Sequence, residues 1–300
     1  MNKKFIAYFK NNHTSLFNKF VNSEILVRAV SSLDFLRYVF CRITNKPYFG
    51  VYLMAGQTWE ERKPYMENLV KREMLNGKKE DFRLLEVGSW AGNSVLIWAE
   101  AMKSIGKKGE IVCVDPWVPY IKPEAIMPNK ALLVMQTALR DDKVFQLFLH
   151  NINAANISNM TTIMRGTSDK VLPLLKERSF NMAFIDGSHY YSSVINDLKN
   201  AEKLVCDGGI LCGDDLELQS YEVDIEFAEA NKEIDLVFDP KTGKEYHPGV
   251  SLAIRDFFKG PVSYSKGFWA MRRTNNRWES VDLAIKDSYS TDCELISEPA

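Results

Sequence analysis

The segment that most constrains the fold covers residues 84–94, in which an apolar run meets two closely spaced glycines. Residues 84–87 have the composition of a buried strand, and Gly88 and Gly92 follow at once. Apolar residues then recur at helical spacing at Val95, Leu96, Trp98, Ala99 and Met102. The pattern predicts a buried strand, a tight glycine turn and a helix. The free N–H groups at the start of such a helix favour a carboxylate or phosphate ligand.

A second predicted strand, residues 110–115, ends on Asp115. This residue lies in the range where nucleotide-binding α/β folds place the carboxylate that binds a ribose. A dinucleotide site requires G-x-G-x-x-G, whereas this chain has Glu86-x-Gly88-x-x-x-Gly92. The motif resembles the first motif of class I S-adenosylmethionine (SAM) methyltransferases. An ordinary strand-to-helix turn of another α/β protein is the alternative.

Strands and helices alternate beyond this motif. Further strands are predicted at 161–164, 181–186, 210–213 and 268–272, and helices at 141–155, 169–177, 192–205 and 250–258. Ser168 is expected to cap the helix at 169–177, residues 217–229 to be helical, and residues 234–238 to form a strand. The alternation predicts a doubly wound parallel sheet.

Together with the resemblance, this predicts an α/β fold with a Rossmann-like, seven-stranded sheet of the class I methyltransferase type and a helical N-terminal appendage. The expected domains are a helical N-terminal region at 1–80, a methyltransferase domain at 81–275 and a C-terminal tail at 276–300.

Acidic residues close two predicted strands that should be neighbours. Asp186 closes the fourth strand, and Asp214 and Asp215 close the fifth. Because ligands bind at the carboxyl ends of the strands in a doubly wound sheet, we expect these carboxylates to converge. Hard oxygen ligands without cysteine suit Mg²⁺, Mn²⁺ or Ca²⁺. The alternative is that the three residues only cap a loop and a helix.

A histidine follows the first of these acidic residues. His189 lies three residues after Asp186, in Asp-Gly-Ser-His-Tyr-Tyr, and therefore beside the expected metal. Histidine titrates near neutral pH and suits a general base. His247 is a candidate for the border of the substrate pocket. The remaining histidines have no comparable setting.

Residues 184–191, continued through Gly213-Asp214-Asp215, resemble the metal-dependent sugar O-methyltransferases of the macrocin and mycinamicin type. With residues 86–94 and 115–117 the resemblance covers about residues 50 to 272. It implies that Asp186, Asp214 and Asp215 hold Mg²⁺ and that His189 is the base. Ser188 stands where related enzymes have an aspartate, which leaves His189 as the candidate.

The resemblance also implies a cofactor site. Gly88 and the neighbouring backbone would hold the methionine part of SAM, Asp115 would bind the ribose hydroxyls, and Trp117 and Ser168 would lie near the adenine. The full set of expected cofactor-binding residues is Glu86, Gly88, Ser89, Gly92, Asn93, Ser94, Asp115, Trp117, Ser168 and Asp186.

Composition limits the partners and the compartment. The net charge is −1, which does not indicate a nucleic-acid binder. The five cysteines are scattered, as expected in a reducing cytoplasm. Residues 1–47 are basic and aromatic, with eight lysines and arginines against two acidic residues. Two interpretations stay open for them: helices that pack on the core or on another subunit of a homo-oligomer, or a helix that rests on an anionic membrane surface.

The sequence thus predicts a cytoplasmic enzyme that transfers a methyl group from SAM to a hydroxyl of a sugar-containing acceptor, with cell-envelope polysaccharide as one candidate. Membrane association through residues 1–47 is left open. Three alternatives stay open. They are a metal-independent small-molecule methyltransferase, a catalytically silent SAM-fold interaction protein, and another nucleotide-binding α/β enzyme such as a dehydrogenase.

Overall fold

The structure, a computed structural model, describes residues 24–55, 60–76, 81–120 and 130–284. The predictions for residues 1–23 and for most of the C-terminal tail lie outside these residues. The described residues divide into two compact units. The first takes its residues from 1–57, 90–93 and 117–159, and the second from 58–89, 94–116 and 160–300. The expected domain boundaries stay predictions.

The described helices are α1 (Glu24–Ile43), α2 (Lys63–Asn76), α3 (Asn93–Ile105), α4 (Lys130–Arg140), α5 (Lys143–Ala154), α6 (Ser168–Val171), α7 (Tyr191–Leu204), α8 (Ile225–Ala230) and α9 (Pro248–Phe258). The described strands are β1 (Phe82–Val87), β2 (Gly109–Asp115), β3 (Thr161–Arg165), β4 (Phe180–Ile185), β5 (Val205–Leu216), β6 (Val237–Phe238), β7 (Glu245–Tyr246), β8 (Ser263–Ser265), β9 (Gly267–Thr274) and β10 (Arg277–Ser280).

The second unit contains one large sheet with the strand order β10-β9-β5-β4-β1-β2-β3, and β8 pairs with β9 beside this path. Strands β1 to β5 are parallel, and β9 runs antiparallel to β5, β8 and β10. The predicted Rossmann-like sheet is confirmed, and short β8 adds one strand to the seven of the continuous path. The strand order reverses between β1 and β4, which is where such sheets bind their ligands.

The central strands are buried because helices cover parallel sheets on both faces. Five of the six residues in β1 and in β4 are buried. The core includes Leu85, Val112, Ala183, Leu198 and Leu211. The apolar runs of the sequence therefore correspond to strands that water does not reach.

The first unit contains α1, α4 and α5. A 3₁₀ turn at Tyr52–Met54 lies against α4. Asn151 of α5 connects separate parts of the unit, since its amide donates to the carbonyls of Tyr48 (3.0 Å) and Ala91 (2.9 Å). Among the described residues, none of the helices is both long enough and apolar enough to cross a membrane.

Several predicted elements are corrected. The helix expected at 169–177 is only α6 followed by a 3₁₀ turn, Leu172–Leu174, because Pro173 interrupts it. Ser168 lies inside α6, and Thr167 takes the N-cap position. Residues 217–229 are helical only from Ile225, where α8 begins. The strand expected at 234–238 is the two-residue β6. Helix α4 was not predicted.

Candidate active site

The glycine turn brings the ends of β1 and β4 into direct backbone contact. Gly88 has φ +87°, and a Cβ added to it would lie 2.0 Å from the Asp186 carbonyl oxygen. The Gly88 amide donates to the Val114 carbonyl, and the Asp186 amide donates to the Val87 carbonyl, both at 2.9 Å. Only glycine fits this conformation and this approach. Two residues predicted for the site therefore lie together at the reversal of the strand order.

Glu86, in β1 two residues before Gly88, is fully buried. Its carboxylate accepts from the Ser94 hydroxyl at 3.0 Å and from the Trp98 indole at 2.9 Å. Burial raises the pKa of Glu86 to about 7, although these hydrogen bonds oppose the rise. Glu86 and Ser94 thus join β1 to α3, and this contact occupies both side chains. Their role as cofactor-binding residues stays a prediction.

The remaining expected cofactor residues fall in both units. In the second unit, Ser89 and Asp115 are buried. Ser168 donates its hydroxyl to Asp197 at 2.5 Å. Burial raises the pKa of Asp197 to about 7. Asp197 was not predicted as a neighbour of Ser168, because 29 residues separate them.

In the first unit, Trp117 is buried between Phe145 and Phe148, with ring centroids 4.8 Å away in each case. Its indole donates to the Trp90 carbonyl at 2.7 Å. Gly92 has φ +85° and lies close to the Phe148 ring, and Asn93 begins α3. These contacts explain why the ring of Trp117 is buried. Its expected place near the adenine stays a prediction.

At the ends of β4 and β5, Asp186, His189 and Asp215 come together, with ligand atoms within 4.8 Å of one another. The imidazole of His189 lies between two carboxylates. Its Nε2 is 2.9 Å from Asp215 Oδ2, and its Nδ1 is 2.7 Å from Asp235 Oδ1. His247 lies beside it, with ring centroids 4.3 Å apart, and pairs with Glu217 at 3.1 Å.

The charges of this cluster determine its protonation. Burial opposes a charge on His189, but Asp215 and Asp235 outweigh it and hold the pKa of His189 well above its usual range. Burial also opposes a negative charge on Asp215, but the charge and the hydrogen bond of the neighbouring His189 lower the pKa of Asp215. Burial and the neighbouring Asp214 and Asp215 raise the pKa of Asp186 well above its ordinary value. Asp215 and Asp235 thus both stabilise the protonated form of the His189 imidazole.

Arg62, which precedes α2, binds an acidic trio that we define as Asp214, Asp215 and Glu217. It forms an ion pair with Asp214 and lies 3.1 Å from Asp215 and 3.2 Å from Glu217. Its Nε donates to the Lys266 carbonyl at 2.7 Å. The guanidinium is buried, and the trio raises its pKa despite that burial.

Asp214 therefore differs from the other two predicted metal ligands. Its Oδ2 faces Arg62, whereas its buried Oδ1 has no hydrogen-bond partner among the described residues. Burial raises the pKa of Asp214 to about 7, since the neighbouring Asp215 adds to the effect and Arg62 only partly opposes it. The structure brings Asp186 and Asp215 together with His189, whereas Asp214 forms its ion pair with Arg62.

Sequence reasoning missed Arg62 and Asp235. The contact between Arg62 and Asp215 spans 153 positions, and the contact between His189 and Asp235 spans 46. The only available signal was electrostatic, because buried carboxylates require a nearby cation.

The sheet order, the glycine turn after β1 and the acidic end of β2 define the fold of a class I SAM-dependent methyltransferase. Residues 85–216 match the sequence model of a family described as a methyltransferase domain. Residues 85–216 are thus similar to a methyltransferase domain, which agrees with this part of the sequence prediction.

Several solved structures are similar to this chain at low identity. The O-methyltransferase NovP is 15% identical, with 74% of this chain and 82% of NovP covered and a TM-score of 0.50. Cofactor-bound Rv0187 from MTB is 14% identical, with 81% of this chain and 90% of that chain covered and a TM-score of 0.46. TomG from Streptomyces achromogenes, in complex with SAM, is 14% identical, with 90% and 96% covered and a TM-score of 0.44. No curated protein matches the chain.

Proposed function

We propose that the chain transfers the methyl group of SAM to a hydroxyl oxygen of a sugar-containing acceptor, with a divalent cation and His189 as the general base. The observation that carries the proposal is the convergence of Asp186, His189 and Asp215 at the ends of β4 and β5. Oxygen is the acceptor atom in NovP, which is described as an O-methyltransferase. The sugar comes from the sequence resemblance, and a panel of glycans, glycolipids and glycosylated natural products tests it.

The residues present fit a divalent cation. The Oδ1 atom of Asp214 is buried and has no partner among the described residues, so it is available as a hard ligand. Asp186 and Asp215 supply further carboxylate oxygens, which lie within 4.8 Å of each other and of a His189 nitrogen. These three residues would hold the cation. When bound, it would lower the pKa of a coordinated hydroxyl.

The chain orients His189 for the proton transfer. Burial opposes the charge of Asp235, but His189 lowers its pKa, so Asp235 is ionised and only accepts hydrogen bonds. Its partner Nδ1 must therefore carry a proton. Nε2 faces Asp215, a proposed ligand of the cation. With the charge of Asp215 offset by the cation, the pKa of His189 would fall, and Nε2 would be the nitrogen that takes the proton from the acceptor hydroxyl.

Proton transfer to His189 accompanies transfer of the methyl group. The hydroxyl proton passes to Nε2, and the oxygen electron pair forms the bond to the SAM methyl carbon as the carbon–sulfur bond breaks. The imidazolium that results is the form that Asp215 and Asp235 stabilise at 2.9 and 2.7 Å. General base catalysis of this kind contributes about 10²–10⁴-fold.

The experiment measures methyl transfer from labelled SAM to the panel before and after treatment with EDTA, and again after Mg²⁺ is restored. We expect transfer to be lost and then regained, while calorimetry shows unchanged SAM binding. His189→Ala should abolish most turnover and keep SAM binding. Full methyl transfer by the EDTA-treated protein would contradict the role of the cation. Methyl transfer only to acceptors without a sugar would contradict the proposed class of acceptor.

A second candidate is a metal-independent methyltransferase. The observation that favours it is Arg62, a buried cation that already pairs with Asp214, Asp215 and Glu217. Activity that survives EDTA but is lost in Arg62→Lys would support this alternative.

A further inference from the structure

Helix α1 carries an exposed apolar stripe, which we define as Leu33, Leu36, Phe40 and Ile43. Their exposed fractions are 69%, 62%, 56% and 79%. With 3.6 residues per turn, the spacing of three, four and three residues places them within an arc of about 80°. The stripe is therefore a continuous surface rather than scattered apolar residues, which are normal on proteins.

The other side of α1 packs within the first unit. Cys41 is buried. The ring of Tyr38 lies 5.4 Å from that of Tyr48 and 5.0 Å from that of Tyr52, and Asp34 accepts from the Tyr52 amide at 2.7 Å. These contacts fix the rotation of the helix, so the stripe faces outward.

Basic residues flank the stripe. The side chain of Arg37 is 51% exposed while it pairs with Asp34 at 3.6 Å. Lys46 is exposed, and its ammonium lies 5.9 Å from the centroid of the Phe40 ring. Arg42 instead donates to the Gln146 carbonyl of α5 at 3.4 Å, away from the stripe. In the sequence, residues 1–47 hold eight basic and two acidic residues, whereas the whole chain has a net charge of −1.

We propose that α1 binds an anionic lipid surface, with the α1 stripe at the boundary between headgroups and acyl chains and with Arg37 and Lys46 among the lipid phosphates. An apolar face bordered by cationic side chains is the pattern of helices that lie in the membrane interface. Charge complementarity favours lipid over a second copy, because two copies would bring like charges together. The proposal does not depend on which acceptor the enzyme methylates.

The test is co-sedimentation of the full chain with two kinds of vesicle, phosphatidylcholine alone and phosphatidylcholine mixed with phosphatidylglycerol. We expect binding to the mixed vesicles only, and less binding at high salt because salt screens the attraction. Leu36→Glu should weaken binding about tenfold or more, because it removes a large apolar side chain and adds a repelled charge.

The matched control is Leu174→Glu, since Leu174 is a leucine of the second unit that is 84% exposed. It should bind mixed vesicles as the unchanged protein does. Equal binding to both vesicle types, or binding that Leu36→Glu leaves intact, would overturn the proposal. So would light scattering that shows a dimer which Leu36→Glu dissociates, because the stripe would then be covered by a second copy.

Discussion

His189 Nδ1 and Asp235 Oδ1 lie 2.7 Å apart, although 46 positions of the chain separate the two residues. The intervening segment includes α7, β5 and α8. Asp235 belongs to the long stretch between β5 and α9, which therefore orients the proposed base. A carboxylate behind an imidazole fixes its tautomer and its ring orientation.

The first prediction concerns Asp235→Asn. The amide keeps the shape of the side chain but removes the charge that stabilises the His189 imidazolium. We expect kcat to fall by about 10–100-fold, as for other residues that orient a functional group. The KM for SAM should not change. Because the pKa of His189 should fall, the acidic limb of the pH–rate profile should move to lower pH.

Glu226→Gln is the matched control, since Glu226 is an exposed carboxylate of the same segment. It should keep both kcat and the pH profile. A loss of kcat in Asp235→Asn without any movement of the acidic limb would contradict the orienting role and leave only a structural one.

The sequence predicted those parts of the site that follow from chain order. Asp186 and Asp215 end strands that are rich in apolar residues, and strands of a parallel sheet present their carboxyl ends at one edge. Gly88 stands at the turn after β1, where its spacing to Gly92 indicated the cofactor. Asp235 has no such signal, because α8 is short and the residues before β6 show no periodicity. Its place depends on tertiary packing, which local patterns do not encode.

Arg62 gives the second prediction. It is buried against the acidic trio, and removal of one partner from a buried ion pair leaves the other charges uncompensated. Arg62→Ala should lower the free energy of unfolding by about 3–5 kcal/mol, measured by urea denaturation. Arg277→Ala, which removes an exposed arginine of β10, should change it by less than about 0.5 kcal/mol.

The same variant also tests the cation. If Asp186, Asp214 and Asp215 take up a divalent ion, Mg²⁺ should raise the melting temperature of Arg62→Ala more than that of the unchanged protein, because more carboxylate charge is then left to neutralise. The absence of a shift in both proteins would show that these residues do not bind Mg²⁺. The sequence indicated that these carboxylates need a positive charge, but Arg62 lies in a charged stretch, 60–63, in which no position is distinguished.

The third prediction separates two reasons for glycine. Gly88 and Gly106 both have positive φ, at +87° and +70°. A Cβ at Gly88 would lie 2.0 Å from the Asp186 carbonyl oxygen, whereas a Cβ at Gly106 would meet no atom within 4 Å. Gly106→Ala should therefore cost only the left-handed strain, about 1–2 kcal/mol.

Gly88→Ala should cost clearly more, because the backbone of β1 or β4 must move in addition. It should also weaken SAM binding, measured by calorimetry on whatever folded protein is recovered. If both variants lost the same free energy of unfolding, the close approach of the two strands would not be what requires glycine at position 88.

The last prediction uses Asp197, which is 3% exposed and has a pKa raised to about 7 by burial. In the unfolded chain an aspartate titrates near 3.9, so above that pH the folded protein holds a proton that the unfolded chain has lost. The contribution of Asp197 to stability therefore falls as pH rises from about 4 to about 7, and stays at its lowest above that range. With three pH units at 1.36 kcal/mol each, the upper bound of the loss is about 4 kcal/mol.

Asp197→Asn removes this loss, because an amide does not ionise while its oxygen still accepts from the Ser168 hydroxyl. The variant should be more stable than the unchanged protein at about pH 8, by up to about 4 kcal/mol, and nearly equal to it at about pH 4. Urea denaturation across this range measures the difference. Asp81→Asn, at an exposed aspartate, should follow the unchanged protein at every pH. A stability gain in Asp197→Asn that does not vary with pH would mean that the buried carboxyl is not what titrates.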